Sequence, residues 1–190
     1  MYRRRSGIGH IVRKIIAVII VVFVIAAAVT AFLWWNGRFL PKWIKWREAV
    51  MAEDGNGTLP VESVVLRKKT LVVYYDGKQV YKSDEKDIVQ DVLWIDGDND
   101  GEKEVFALIW SKNKGGTFVQ SLCGEDKAGY QQYIYVFDGA KSGMNELFRT
   151  AALGIRAASW KNDYKNRIII DETAGKQSVW KWTGEEMSGG

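Results

Sequence analysis

Cysteine, histidine and proline are scarce in this 190-residue chain. The single cysteine, Cys123, excludes an intrachain disulfide and lacks the partners that a zinc site needs. The single histidine, His10, precedes the long apolar run, so the rest of the chain has no histidine for a catalytic triad or a metal site. Neither of the two prolines, Pro41 and Pro60, interrupts the β-like region that follows. The sequence contains no set of residues that is typical of an enzyme active site, and we expect a protein without catalytic activity.

Acidic residues are absent from the first 47 positions, which contain nine of the 27 basic residues. Residues 48–190 therefore hold 18 basic residues and all 23 acidic ones. A mildly acidic domain argues against nucleic acid as a partner, because nucleic-acid binding requires a basic patch on the domain itself. The cluster Arg67, Lys68 and Lys69 precedes a β-like run, and we interpret it as a solvated turn.

A long uncharged run extends from Ile15 to Trp35. As a helix it would be about 30 Å long, which matches the hydrocarbon core of a bilayer. Trp34 and Trp35 end the run, where indole rings favour the membrane interface. The charge bias predicts a cytoplasmic basic N-terminus over 1–14, a transmembrane helix over 15–35 and an extracytoplasmic remainder. The expected location is the cell membrane, as a single-pass protein.

A cleaved signal peptide is the alternative interpretation of this run. Val29, Thr30 and Ala31 offer small residues at a cleavage site. The run is longer than the usual signal core of about 7–15 residues, which favours the uncleaved anchor. Under either interpretation, the domain that follows the run is exported across the membrane.

The segment 36–57 is expected to link the membrane helix to the domain. Pro41 suits a first helical turn, and Trp43, Ile44, Trp46 and Val50 can share one side of a helix over 41–54. This amphipathic helix could lie on the outer headgroups, or it could be a spacer packed on the domain. The sequence Gly-Asn-Gly at 55–57 then predicts the boundary of a domain over 58–190.

Short apolar runs separated by turn signals predict a small, mainly β antiparallel domain. Asp76-Gly77, between two such runs, is a strong hairpin signal. The expected strands are 61–66, 70–75, 79–82, 89–95, 104–110, 117–121, 132–137, 146–149, 154–160, 167–170 and 178–182.

A weak internal repeat organises these strands. Asp76-Gly77 recurs 62 residues later as Asp138-Gly139. Each pair precedes a longer strand that ends near a tryptophan, Trp94 or Trp160, and then a polar turn. Two such units are too few for a closed propeller of four to eight blades. We therefore expect two blade-like repeats, arranged as a β-sandwich or a partial propeller.

An acidic loop runs from Asp96 to Glu104, with the sequence DGDNDGEKE. Calcium takes six to eight oxygen ligands in a flexible shell. Three alternate aspartates can converge as the chain curls, Gly101 permits a sharp turn, and Glu104 can close the far side. A solvated hairpin turn is the alternative, because Asp, Asn and Gly are turn formers. The predicted calcium ligands are Asp96, Asp98, Asp100, Glu104 and the carbonyl of Glu102.

The segment VQDVLWIDGDNDGEKEVFALIW, at 89–110, resembles the FG-GAP or VCBS-type repeat, in which an apolar strand, DxDxDGxx(D/E) and another apolar strand follow each other. This resemblance implies a calcium-stabilised β repeat used in adhesion or recognition, with the family ligands at the same five residues. In the second unit, the turn 161–166 keeps only Asp163, and we expect no calcium there.

Three functions are weighed on these features. The first is a membrane-tethered binding or scaffold module with a structural calcium ion. The second is a cell-wall or carbohydrate-binding module in which Trp180 and Trp182, on one strand face, form a stacking platform. A packed core pair is the plainer interpretation of these two residues. The third, an acid-dependent hydrolase, lacks paired carboxylates. A protein or cell-wall glycan is the expected ligand, sought first at the loop 111–130.

Overall fold

The computed structural model describes residues 6–35, 40–52, 62–112, 130–139, 143–150, 153–163 and 165–189. The chain divides into two units, Met1–Phe39 and Leu40–Gly190. The first contains one helix, α1 (Ser6–Trp35), and the described part of the second contains only strands and turns. The chain is therefore mainly β with a single N-terminal helix, as the sequence predicts.

Helix α1 has the length and composition of a membrane-spanning segment. Its apolar stretch Ile11–Leu33 has 23 residues, none of them buried within the protein. At about 1.5 Å per residue this stretch is roughly 34 Å long, enough for a hydrocarbon core of about 30 Å. The Thr30 hydroxyl donates a hydrogen bond of 2.8 Å to the carbonyl of Ala26, so this polar group is paired inside the helix.

The described part of the second unit forms three antiparallel sheets of four strands each. Within each sheet the strands follow one another in chain order, as in a meander. Sheet 1 contains β1 (Ala49–Ala52), β2 (Glu62–Arg67), β3 (Thr70–Tyr75) and β4 (Lys78–Lys82). Sheet 2 contains β5 (Ile88–Ile95), β6 (Glu104–Lys112), β7 (Tyr130–Phe137) and β8 (Glu146–Arg149). Sheet 3 contains β9 (Ala157–Asn162), β10 (Ile168–Glu172), β11 (Gln177–Trp182) and β12 (Met187–Gly189).

Sheet 2 has a hydrophobic core on each of its faces. Along β6, Val105, Ala107 and Ile109 pack with residues of sheet 1, including Leu66. The intervening Phe106 and Leu108 join a second cluster with residues of sheet 3. Because successive side chains of a strand point to opposite faces, a strand covered on both sides reads as a continuous apolar run. This explains the run VFALIW and places sheet 2 between the other two sheets.

The amphipathic helix expected over 41–54 is wrong. Residues 40–48 are not helical, and β1 follows them and pairs with β2. Ile44 is buried, and the backbone N–H of Lys45 donates to the carbonyl of Ala158 at 3.3 Å. The segment therefore packs on the domain, which begins at Leu40 rather than at residue 58.

The internal repeat corresponds to equivalent places in successive sheets. Asp76-Gly77 joins the last two strands of sheet 1, and Asp138-Gly139 follows the third strand of sheet 2. Trp94 and Trp160 lie on β5 and β9, the first strands of sheets 2 and 3. Each sequence unit thus runs from the end of one sheet into the next. The described residues form three sheets, so the arrangement of two blade-like repeats is not confirmed. Ten of the expected strands match β2 to β11, whereas β1 and β12 were not expected and 117–121 lies outside the described residues.

Candidate metal site

The acidic loop joins β5 to β6, where Ile95 and Glu104 face each other in the hairpin register. Its carboxylates fold the loop by accepting hydrogen bonds from backbone N–H groups. The Asp96 carboxylate accepts from Asp100 and Gly101, both at 3.1 Å. Asn99 and Gly101 have φ values of 67° and 94°, in the left-handed region that Asn and Gly tolerate. The sequence alternation of short polar residues and glycine therefore produces a tight acidic curl.

Three carboxylates converge at the base of this curl. Oxygen atoms of Asp96, Asp98 and Glu104 lie within 4.8 Å of one another. Asp96 and Asp98 are half-buried, and Glu104 is only 5% exposed. These three residues are among the five predicted ligands.

The other two predicted ligand residues lie outside this group of three. The side chains of Asp100 and Glu102 are exposed. Asp100 Oδ1 accepts the backbone N–H of Glu102 at 2.8 Å, which closes a local turn. The prediction for Glu102 concerned its backbone carbonyl, and it stays a prediction.

The carboxyl group of Glu104 has a raised pKa. Burial is the main cause that raises its pKa to about 7, and the carboxylates of Asp98 and Asp100 raise the pKa further. The N–H of Gly97, which donates to Glu104 Oε2 at 2.8 Å, acts in the opposite direction. A carboxyl in these surroundings favours a bound proton or a bound cation over a bare charge.

The loop is packed against sheet 3. A Cβ on Gly97 would be 2.7 Å from Phe106 Cζ and 3.1 Å from Trp182 Cδ1, so only glycine fits at this position. At the outer end, Asn166 Nδ2 donates to Asn99 Oδ1 at 2.9 Å. The carboxylates therefore sit where the β5–β6 loop meets turns of sheet 3.

The turn between β9 and β10, which is the counterpart of the acidic loop in the second sequence unit, contains an ion pair. Arg167 Nη2 lies 2.6 Å from Asp163 Oδ2, and the backbone N–H groups of Lys165 and Arg167 donate to Asp163 Oδ1. The hydrogen bond from the guanidinium is the main cause that lowers the pKa of Asp163 to about 2. At this turn an arginine supplies the positive charge.

Trp180 and Trp182 form no stacking platform, and the packed core pair that the sequence favours is confirmed. Trp182 is 1% exposed and packs with Phe106 and Phe148 at centroid distances of 6.3 and 5.7 Å. Trp180 is half-buried against the same core. The two residues do share a strand face, but that face points into the protein.

The sequence gives no signal for two neighbours of the acidic loop, Gly184 and Asn166. Both belong to turns of sheet 3 and approach the loop only through the packing of sheet 2 on sheet 3. Comparison of the chain with protein-family models, with curated proteins and with solved structures found no match. The interpretation of the site therefore depends on its geometry alone.

Proposed function

We propose that this protein is a membrane-tethered, extracytoplasmic binding or scaffold module in which the acidic loop holds a structural calcium ion. One observation carries the metal part: Asp96, Asp98 and Glu104 bring oxygens within 4.8 Å of one another. Two ligands on opposite sides of a calcium ion with bonds of about 2.4 Å are about 4.8 Å apart, so one ion fits among these atoms.

The donor chemistry supports calcium. The loop offers carboxylate and amide oxygens, and hard cations such as calcium prefer oxygen. Asp96, Asp98 and Glu104 would hold the ion, and the resemblance to FG-GAP repeats adds Asp100 and the Glu102 carbonyl. A bound cation supplies positive charge, which opposes the mutual repulsion of the carboxylates.

The position of the loop supports a structural role for the ion. Asn99 of the loop bonds to Asn166 of sheet 3, and Gly97 packs under Trp182. A cation that fixes the loop therefore also fixes a contact between two sheets. In a domain that cannot form an intrachain disulfide, such a contact stabilises the folded state relative to the unfolded chain.

Helix α1 supports the membrane part. It is followed within five residues by the domain, and basic residues precede its apolar stretch, as in an anchor with a cytoplasmic N-terminus. The test is carbonate extraction of membranes with mass analysis of the protein. An intact chain that stays in the membrane fraction supports the anchor, whereas a soluble chain lacking the helix establishes a cleaved signal sequence.

The calcium assignment is tested by thermal unfolding of the full chain in nanodiscs, with calcium and with chelator. At free calcium of about 100 times the Kd, binding stabilises the folded state by about 2.7 kcal/mol. For a domain of this size the midpoint then rises by roughly 5–10 °C. Asp98→Asn should remove most of this shift.

The matched control is Asp76→Asn, which changes an aspartate of another hairpin, where φ is 50° and asparagine is equally tolerated. This variant should keep the full calcium shift. The same melting midpoint of the unmodified chain in calcium and in chelator would refute the site.

A further inference from the structure

The fold gathers two basic clusters that are distant in sequence. The first follows the helix and the second is the β2–β3 turn. Lys69 Nζ lies 4.0 Å from the centroid of the Trp46 ring, and the backbone N–H of Lys68 donates to Glu48 at 3.3 Å. We call the exposed cations of the two clusters the basic patch: Lys42, Lys45, Arg47, Arg67, Lys68 and Lys69.

Among the described residues, three carboxylates interact with the basic patch. Glu48 accepts from the patch at the Lys68 backbone, Asp91 lies 3.4 Å from Arg47 Nη1, and Asp171 lies close enough to Lys45 to interact with its charge. The six cations thus outnumber these three carboxylates, although residues 48–190 as a whole are acidic. Positive charge is concentrated on one part of a domain that is otherwise negative.

Lys68 and Lys69 hold backbone conformations that lysine does not favour. Their φ values are 49° and 65°, as in a two-residue hairpin turn of the type that prefers Asn-Gly or Asp-Gly. The β3–β4 turn has the same signs of φ and uses the favoured pair, Asp76 and Gly77. The two lysines are therefore poorly suited to the backbone conformation of this turn. Such mismatches between residue type and backbone conformation are concentrated at functional sites.

The basic patch begins directly after the membrane helix in the sequence. Residues 36–39 alone separate the end of α1 from Leu40. Such a link extends to at most about 18 Å, so a bilayer that holds the helix is within reach of the patch. Trp43 and Trp46, both half-buried, lie between the cations and supply the indole rings that favour a headgroup region.

We propose that the basic patch docks on the anionic lipid headgroups of the bilayer that holds α1. This inference depends on the proposed membrane anchor. Each basic side chain near an anionic surface strengthens the attraction roughly fivefold, and salt screens it. Docking would fix which surface of the domain faces away from the membrane toward a partner.

The experiment is hydrogen exchange of the full chain in nanodiscs, with phosphatidylcholine alone or mixed with phosphatidylglycerol. Amides of 40–48 and 66–70 should exchange several-fold more slowly in the anionic nanodiscs, and molar salt should abolish the difference. Equal exchange in both lipids, with the chain inserted in the nanodiscs, would overturn the docking but leave the anchor intact. A chain that fails to insert would refute the anchor and, with it, this inference.

The variant Lys68→Asn/Lys69→Gly separates charge from folding. It removes two cations and introduces the favoured turn residues, so the melting temperature should stay equal or rise. The attraction to the anionic surface should weaken roughly tenfold or more, so most of the several-fold protection in anionic nanodiscs should be lost. The charge-matched control Lys176→Gln/Lys181→Gln changes exposed lysines of sheet 3 and should keep the protection. Equal losses in both variants would show a response to net charge rather than docking by this patch.

Discussion

The carboxylate of Asp98 lies directly against Gly184, in the turn between β11 and β12. A Cβ on Gly184 would be 2.9 Å from Asp98 Oδ2, closer than side chains normally approach. The φ of Gly184 is 90°, so the turn itself also favours glycine. The position of a proposed calcium ligand on sheet 2 therefore depends on a residue of sheet 3 that carries no ligand.

We predict that Gly184→Ala weakens calcium binding without removing any ligand. The added methyl group must displace Asp98, and disturbance of a residue behind a metal ligand lowers metal affinity by about 10–100-fold. Isothermal titration of the full chain in nanodiscs measures this change. The control is Gly175→Ala, which has a similar φ of 76° with open space around the new methyl. It should lose some stability through strain while its calcium affinity is unchanged, and an equal loss of affinity in both variants would contradict the prediction.

A buried amide network joins sheet 2 to sheet 3. Gln90 lies at a β-bulge in β5 and is fully buried. Its Oε1 accepts from Trp110 Nε1 at 2.7 Å and from Gln132 Nε2 at 2.8 Å. Its Nε2 donates to the carbonyl of Ala158 at 2.9 Å. The bulge turns this amide toward sheet 3, where each of its polar atoms is paired.

We predict that Gln90→Leu destabilises the domain by about 3 kcal/mol or more. The substitution leaves buried donors and acceptors without partners, and each such group costs about 1–3 kcal/mol. Chemical denaturation of the full chain in nanodiscs gives the free energy of unfolding. Gln131→Leu, at the neighbouring exposed position of β7, should change the stability by less than about 1 kcal/mol. Similar losses in both variants would show that the network contributes little.

The sequence predicts strands well where local pattern and packing agree. The β5–β6 hairpin and its acidic loop are readable because two apolar runs flank a group of turn-forming residues. The segment 41–54 is misread because the spacing of Trp43, Ile44 and Trp46 fits a helix. In the fold, Ile44 is buried in a non-helical segment whose backbone bonds to Ala158. Such a tertiary contact overrides a local periodicity and cannot be seen in the sequence.

The convergence of the carboxylates could be predicted from the sequence, whereas their neighbours on other strands and sheets could not. The carboxylates of Asp96, Asp98 and Glu104 are close in sequence, so their convergence follows from the curl of one loop. Gly184 and Gln90 matter through contacts between sheets, and those contacts depend on how the sheets pack. A single sequence contains no local signal for such long-range neighbours.

The domain should lose stability in alkaline solution as two tyrosines ionise. Burial is the main cause that raises the pKa of Tyr81 and of Tyr135 to about 12, and the carboxylate of Asp87 adds to it. Because both pKa values are higher in the folded chain than the ordinary 10, their contribution is complete below pH 10 and is lost as pH rises toward 12. Melting temperatures across this range should fall, and tyrosinate absorbance should rise with unfolding.

Tyr81→Phe is the matched test of the alkaline effect. The ring of Tyr81 packs 4.9 Å from Phe137, and phenylalanine keeps this contact while removing the titrating hydroxyl. The variant should lose less stability between pH 10 and pH 12 than the unmodified chain does. Identical alkaline profiles of the two proteins would exclude Tyr81 as a source of the loss.

The effect of Glu104→Gln on stability should change sign when calcium is added. With chelator above neutral pH, the variant removes a charge that is buried beside Asp98, while its amide oxygen can still accept the N–H of Gly97. It should then melt at a higher temperature than the unmodified chain. In saturating calcium the variant lacks one anionic ligand, so the unmodified chain should be the more stable of the two. Thermal melts of both proteins under the two conditions test this crossing. A variant that is less stable under both conditions would show that the charge of Glu104 supports the fold even without a cation, and a variant that is more stable under both would remove Glu104 from the ligand set.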